Sequence, residues 1–137
     1  MVFYGASDHT HPSLMPGIER AIERGQDPGN PVERTAWTWS IKLWLDGELS
    51  FFEARHINVR RSAVYFLDQM PELEVHHGEL DGAVPYVQGT IVADGMAQLG
   101  RQAPEFEFFG YPEGEHNPNT LPGSLESQAS RFCPLAR

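Results

Sequence analysis

Hydrophobic and polar residues alternate most clearly over residues 35–45, where the odd positions carry large apolar side chains. These positions are Trp37, Trp39, Ile41, Leu43 and Leu45. Strict alternation is typical of a strand with one buried face, so these side chains are expected in the core. Asp46 and Gly47 form a typical hairpin turn, and apolar odd positions recur beyond it. The pattern therefore predicts a β-hairpin over 35–59.

Two other segments carry apolar residues at helical spacing. The first, residues 13–25, places Leu14, Ile18, Ala21 and Ile22 on one face. The second, residues 62–70, has Ala63, Phe66, Leu67 and Met70 at i, i+3, i+4 and i+7 and stops before a proline. This spacing predicts two short helices. The valine and tyrosine at the start of the second segment would also suit a strand.

Short β-rich runs separated by Asp-Gly turns follow over residues 72–111. The predicted strands are 73–80, 83–93, 96–101 and 105–111. Such spacing favours an antiparallel meander. Together with the hairpin, it predicts an α+β domain in which one or two short helices pack on an antiparallel sheet of about five strands. A β-sandwich or barrel with a peripheral helix is the alternative.

The composition indicates one domain over residues 1–111 and an extended tail, rich in Pro, Gly and Asn, over residues 112–137. The net charge of −9 argues against binding to nucleic acid or anionic lipid, which needs clustered Lys and Arg. No apolar run approaches the ~20 residues of a membrane-spanning helix, and no secretory signal is recognised. We therefore expect no membrane partner and a cytoplasmic location, of a cell or of a host cell, or a place in a virion.

Histidine is the first candidate for chemistry. His9 and His11 are spaced i, i+2, so on an extended segment both imidazoles could bind one metal ion. A third ligand could come from His76, His77 or His116, although the first two are neighbours that would face opposite sides of a strand. Ordinary surface histidines are the simpler interpretation. No cofactor is expected, because nucleotide-binding and nucleophile-elbow motifs are absent from the sequence.

The second candidate is an interaction surface. Trp44 and Phe52 fall on the outer face of the predicted hairpin, where a one-sided sheet would expose them. Arg60 and Arg61 end that hairpin in a small basic cluster, whereas residues 72–115 hold nine acidic residues against one arginine. Opposite charges on one domain suit head-to-tail packing of identical subunits. Phe132 is the largest apolar residue of the tail and is expected to fill a pocket on a neighbouring chain.

These observations favour a non-enzymatic interaction or assembly protein, such as an accessory subunit of a virion or other large assembly. Its partner would be another protein or further copies of itself. Two alternatives come from other classes. One is a small metal-dependent enzyme that uses His9 and His11. The other is an acidic inhibitor of a basic protein that handles nucleic acid. Enzymatic activity is the less favoured expectation.

Overall fold

Helices make up most of the regular structure in the computed structural model, which describes residues 2–3 and 6–127. The chain divides into two units. The N-terminal unit comprises residues 6–66, and the C-terminal unit joins residues 1–5 to residues 67–137. None of the helices in the described part of the chain has the length and hydrophobicity needed to cross a membrane.

The N-terminal unit contains helices where the sequence predicted a hairpin over 35–59. A 3-10 turn, Pro12–Leu14, leads into helix α1, within the range 13–25 where a helix was predicted. The helices are α1 (Met15–Arg24), α2 (Pro31–Ala36), a π-helical turn (Trp37–Ile41), α3 (Lys42–Leu45) and α4 (Phe51–Arg61). The predicted hairpin is therefore wrong, because tertiary packing overrides a two-residue alternation when the segment is capped as a helix.

The capping residues explain why these segments are helical. Asn30 precedes α2, and its Oδ1 accepts a hydrogen bond from Val32 N at 2.8 Å. Ser50 and Glu53 form a capping box at the start of α4. Gly47 does not turn a hairpin. Its φ is 78°, and it follows the last turn of α3. There Gly47 N donates to the carbonyl of Trp44, and Glu48 N donates to the carbonyl of Leu43.

The core of the N-terminal unit forms around one tryptophan rather than two. Ile18, Ala21, Ala36 and Trp37 are buried together, and Trp37 Nε1 donates to Asp27 Oδ1 at 2.8 Å. Trp39 lies outside this cluster and is 46% exposed. The guanidinium of Arg61 lies 3.4 Å from the centre of its ring. The two tryptophans differ because successive odd residues point about 200° apart on a helix but share a face on a strand.

The C-terminal unit is built on a parallel sheet. Strands β1 (Val2–Phe3), β2 (Leu73–Gly78) and β3 (Phe106–Tyr111) lie in the order β1-β2-β3, and both pairs are parallel. Helix α5 (Val87–Gln98) connects β2 to β3. The antiparallel sheet of about five strands and the meander over 72–111 are therefore wrong, as is the alternative of a sandwich or barrel.

The predicted secondary structure of the C-terminal unit is wrong mainly over residues 83–101. Residues 83–93 were predicted as a strand and 96–101 as another, yet most of them form α5. A continuous apolar run does not distinguish a buried helix from a buried strand. Parallel strands also require a crossover of about a dozen residues or more, which a helix supplies.

The predicted helix over 62–70 is a 3-10 segment, Ala63–Gln69, broken at Phe66.

Residues 112–127 pack within the C-terminal unit, so the division observed in the structure does not follow the predicted boundary at residue 111. Leu121 and Ser124 are buried. Leu80 N donates to the carbonyl of Gly114 at 2.9 Å, which holds the segment beside the end of β2. Phe132 lies outside the described residues.

Candidate functional site

The carboxyl ends of β2 and β3 meet at one edge of the sheet, where ligands of open parallel sheets usually bind. β2 ends in His76, His77 and Gly78, and the following loop contributes Asp81. The chain leaving β3 brings His116 to the same edge. Three imidazoles and a carboxylate therefore surround one end of the parallel sheet.

His76 and Glu74 share one face of β2 and are both buried. The imidazole of His76 stacks on Phe109 with ring centres 4.7 Å apart, and its Nδ1 lies 2.7 Å from the Tyr111 hydroxyl. Its Nε2 lies 3.6 Å from Glu74 Oε2. In the bond between Nδ1 and the tyrosine hydroxyl, either group can donate, depending on the tautomer of His76. Ser127 Oγ also donates to Glu74.

His77 points to the opposite face of β2, towards α5. Its Nε2 lies 3.0 Å from the carbonyl oxygen of Val84, which can only accept, so Nε2 carries the proton. A Cβ atom on Gly89 of α5 would lie 2.6 Å from His77 Nδ1, so the helix approaches the ring closely. The imidazole of His77 therefore anchors the loop between β2 and α5.

Asp81 orients His116. Its Oδ1 accepts hydrogen bonds from Ala83 N and Val84 N, both at 2.8 Å, and its Oδ2 lies 2.8 Å from His116 Nδ1. The carboxylate accepts, so Nδ1 of a neutral His116 carries the proton and Nε2 keeps a free lone pair. The carboxylate is buried, with 6% of its side chain exposed, whereas 52% of the His116 side chain is exposed. A fixed carboxylate thus holds a solvent-accessible base in one tautomer.

A cavity of about 230 Å³ lies between these side chains. Besides the three histidines and Asp81, it is lined by Gly78, Glu115, Asn117, Pro118 and Leu121. Residues 67–137 hold eleven Asp and Glu against three Arg. This imbalance produces a negative potential that repels anions and attracts neutral or positively charged molecules.

The two histidines predicted as metal ligands lie in the other unit. His11 Nδ1 lies 3.1 Å from Ser13 N and accepts its hydrogen bond, which occupies one ligating position. Across residues 2–3 and 6–127, no group of three or more His, Cys, Asp and Glu side chains is arranged to hold a metal ion. The pair at His9 and His11 therefore stays a sequence-based prediction.

His9 gives the N-terminal unit a pH dependence. Burial lowers its pKa below the ordinary 6.5, Arg61 lowers it further, and Asp8 opposes them. The unfolded chain therefore binds a proton more readily than the folded unit, and stability falls as the pH drops below about 6.5. In chemical denaturation between about pH 7.5 and pH 5.5, we expect His9→Gln to reduce this loss of stability. His56→Gln, which replaces an exposed histidine, should show the same loss as the wild type. Equal slopes in the two variants would contradict this.

The residues predicted as an interface divide into two groups. Trp44 is exposed and Phe52 is 79% exposed. Phe51 links them, with ring centres 5.7 Å from Trp44 and 6.0 Å from Phe52. Arg60 and Arg61 line a different, open depression together with Trp39. Trp44 and Phe52 are exposed as predicted, although on helices rather than on a strand, and their role as an interface stays a prediction.

The pairing of Asp81 with His116 was missed. Asp81 is one of the nine acidic residues counted over 72–115 and His116 is a possible third metal ligand, but the two stand 35 residues apart. The available signal was an Asp-Gly pair directly after an apolar strand, in the place where parallel sheets carry functional loops. The prediction that His76 and His77 face opposite sides of a strand is confirmed.

Comparison of the chain with protein-family models, curated proteins and solved structures found no match. What the site can do therefore follows from its own hydrogen bonds, burial and charge.

Proposed function

We propose that the C-terminal unit is an acid–base catalyst that hydrolyses small neutral or positively charged molecules, with His116 as the general base. The hydrogen bond of 2.8 Å between Asp81 and His116 beside the cavity carries this proposal. A base held in one tautomer by a buried carboxylate is the arrangement that hydrolytic enzymes use to activate a nucleophile.

Hydrolysis of an ester illustrates the proton balance. His116 Nε2 takes a proton from water while the water oxygen bonds to the carbonyl carbon. Asp81 stays ionised and stabilises the imidazolium that forms. The imidazolium then returns the proton to the leaving oxygen as the bond between carbon and that oxygen breaks. The two protons and the oxygen of the attacking water molecule end on the acid and alcohol products, and His116 is regenerated.

Charge determines the substrate class. Glu115 lines the cavity beside Asp81, and the whole unit is strongly acidic. A carboxylate or phosphate entering this site would be repelled, whereas a neutral ester or a cation would not. The proposal therefore predicts discrimination between two esters that have the same leaving group and differ only in charge.

Hydrolysis of para-nitrophenyl acetate, followed by nitrophenolate absorbance, tests this proposal. We expect His116→Gln to lower the rate by about tenfold or more, since a positioned general base contributes at least that much. His56→Gln is the matched control, because it removes an exposed imidazole of the N-terminal unit. The anionic ester mono-para-nitrophenyl succinate should react more slowly with the wild type than para-nitrophenyl acetate does. The rate of each ester is first divided by its rate with free imidazole, which corrects for intrinsic reactivity.

Two results would reject the proposal. Equal rates for the His116 and His56 variants would mean that any surface imidazole accounts for the hydrolysis. A preference for the anionic ester would show that the negative unit does not select the substrate. Melting curves of both variants exclude loss of the fold as the cause of a lower rate.

A role in protein interaction or assembly is the second candidate, supported by the exposed aromatic cluster of Trp44, Phe51 and Phe52. Exposed apolar patches mark interaction sites more often than isolated apolar residues do. We expect Phe52→Ser to lower the mass measured by analytical ultracentrifugation. Ile22→Ser, which removes another exposed apolar side chain on α1, should not change it. A monomeric wild type at every concentration would contradict self-association.

A further inference from the structure

A second cavity, of about 380 Å³, lies wholly within the N-terminal unit. Helix α4 presents one face to it, formed by Phe51, Ala54, Arg55, Asn58 and Val59. These positions follow the i, i+3, i+4, i+7, i+8 spacing of a single helix face. The other lining residues are His9, Thr10, Met15, Ile41, Trp44 and Tyr65. The cavity falls in the size range of small-molecule sites, and most of its wall is apolar.

The polar side chains of His9, Arg55 and Asn58 also line this cavity. Within the described part of the chain, the side chain of Arg55 makes no hydrogen bond or ion pair. The Asn58 side chain bonds to Ser40 Oγ at 2.9 Å, and the same hydroxyl donates to the Ala36 carbonyl at 2.7 Å. His9 Nδ1 is buried without a partner among the same residues. His9 is held in place by its backbone N–H, which donates to Ser62 Oγ at 2.8 Å.

We propose that this cavity binds an amphipathic carboxylate, with its apolar chain against Ile41, Phe51 and Val59 and its carboxylate on Arg55. A guanidinium donates two parallel N–H groups, which match the two oxygens of a carboxylate. The next basic residues of α4, Arg60 and Arg61, add positive potential on the same helix. Residues 6–66 hold eight Asp and Glu against seven Lys and Arg, so the arginines of α4, and not the net charge of the unit, would select an anion here.

The histidine at the cavity completes the carboxylate site. Burial and Arg61 lower the pKa of His9, so its imidazole is neutral near neutral pH. A neutral imidazole with its proton on Nδ1 donates one hydrogen bond to a carboxylate oxygen. Thus one charged donor, on Arg55, and one neutral donor, on His9, would satisfy the carboxylate while the chain stays in the apolar part.

Binding of three ten-carbon probes tests the proposal: decanoate, decan-1-ol and decyltrimethylammonium, each below its micelle concentration. They share one chain and differ in the head group. We expect decanoate to bind at least tenfold more tightly than either of the others by calorimetry. Arg55→Gln should abolish that preference, because it removes the charged donor from an exposed side chain that makes no other hydrogen bond or ion pair. Arg60→Gln, on the same helix but outside the cavity, should retain it.

Tryptophan fluorescence locates the binding site. Decanoate should shift the emission of the wild type, and Trp44→Phe should lose that shift because Trp44 lines the cavity. A shift that persists in this variant would overturn the proposed location. Equal binding of all three probes, or an equal loss of decanoate binding in the two arginine variants, would overturn the proposal that the ligand is a carboxylate. Absence of decanoate binding, together with a mass that rises with protein concentration, would assign the surface to a second copy of the chain.

Discussion

Replacing Gly78 by alanine is expected to destabilise the C-terminal unit by about 3 kcal/mol, which corresponds to a melting temperature lower by about 10 °C. A Cβ atom at this position would overlap the carbonyl of Gly114 and lie 2.8 Å from Glu115 N. Both obstacles are backbone atoms, which cannot rotate away as a side chain can. One of the two segments must therefore move, and the hydrogen bond from Leu80 N to the Gly114 carbonyl is strained or lost.

Gly82→Ala is the matched control for this substitution. Gly82 lies a few residues further along the same loop, and a Cβ atom there would meet no heavy atom within 4 Å. We expect its melting temperature to stay within a few degrees of the wild type. Differential scanning calorimetry of the two variants measures both melting temperatures. Equal melting temperatures would show that the end of β2 and residue 114 do not approach each other as closely as described.

The same substitution connects the fold to the site. Gly114 stands two residues before His116, so displacing it moves the proposed base away from Asp81. We expect Gly78→Ala to lower ester hydrolysis even at a temperature where the variant is still folded, while Gly82→Ala retains the activity. Because about 1 Å of misplacement can cost a hundredfold in rate, activity is the more sensitive readout.

The sequence predicted individual elements better than their arrangement. The strands predicted at 73–80 and 105–111 contain β2 and β3, but their direction was wrong. Alternation of apolar residues reveals that a strand has a buried face and does not reveal which way its neighbour runs. That choice depends on the connection, and the connection was misread because the Val- and Ile-rich residues 83–93 suit a strand as well as a helix.

The hairpin over 35–59 failed for a different reason. The prediction relies on the alternation of apolar residues and disregards the capping residues Asn30, Ser50 and Glu53, although all three are visible in the sequence. An Asp-Gly pair also ends helices, because a glycine with positive φ suits a C-terminal cap as well as a hairpin turn. Weighing the caps before the alternation would have predicted helices α2 and α4.

The candidate site could be predicted only in part. His76 and His77 follow directly from a strand with alternating faces. Asp81 and His116 could not be paired, because their contact depends on the parallel placement of β3 beside β2. A pattern within 10 or 15 residues carries no information on contacts between residues 35 positions apart. The extended appearance of residues 112–137 also concealed the buried Leu121 and Ser124.

Truncation after Tyr111 tests whether this last segment belongs to its own unit. It removes the bond between Asp81 and His116, the pairing of Leu80 with Gly114, and the buried Leu121. Burial of one leucine alone contributes about 1.5–3 kcal/mol. We therefore expect the truncated chain to melt at least about 10 °C lower, independently of protein concentration, and to lose ester hydrolysis.

A shorter truncation, after Ser127, is the matched control for this experiment. It retains every contact just named, so a loss of melting temperature or ester hydrolysis that appears after Tyr111 and not after Ser127 comes from residues 112–127. The sequence had suggested an arm that reaches a neighbouring chain. In that case truncation after Tyr111 would leave the melting temperature unchanged at low concentration and would lower only the mass in solution. That result would contradict the packing of residues 112–127 on their own sheet, and with it the proposed base at His116.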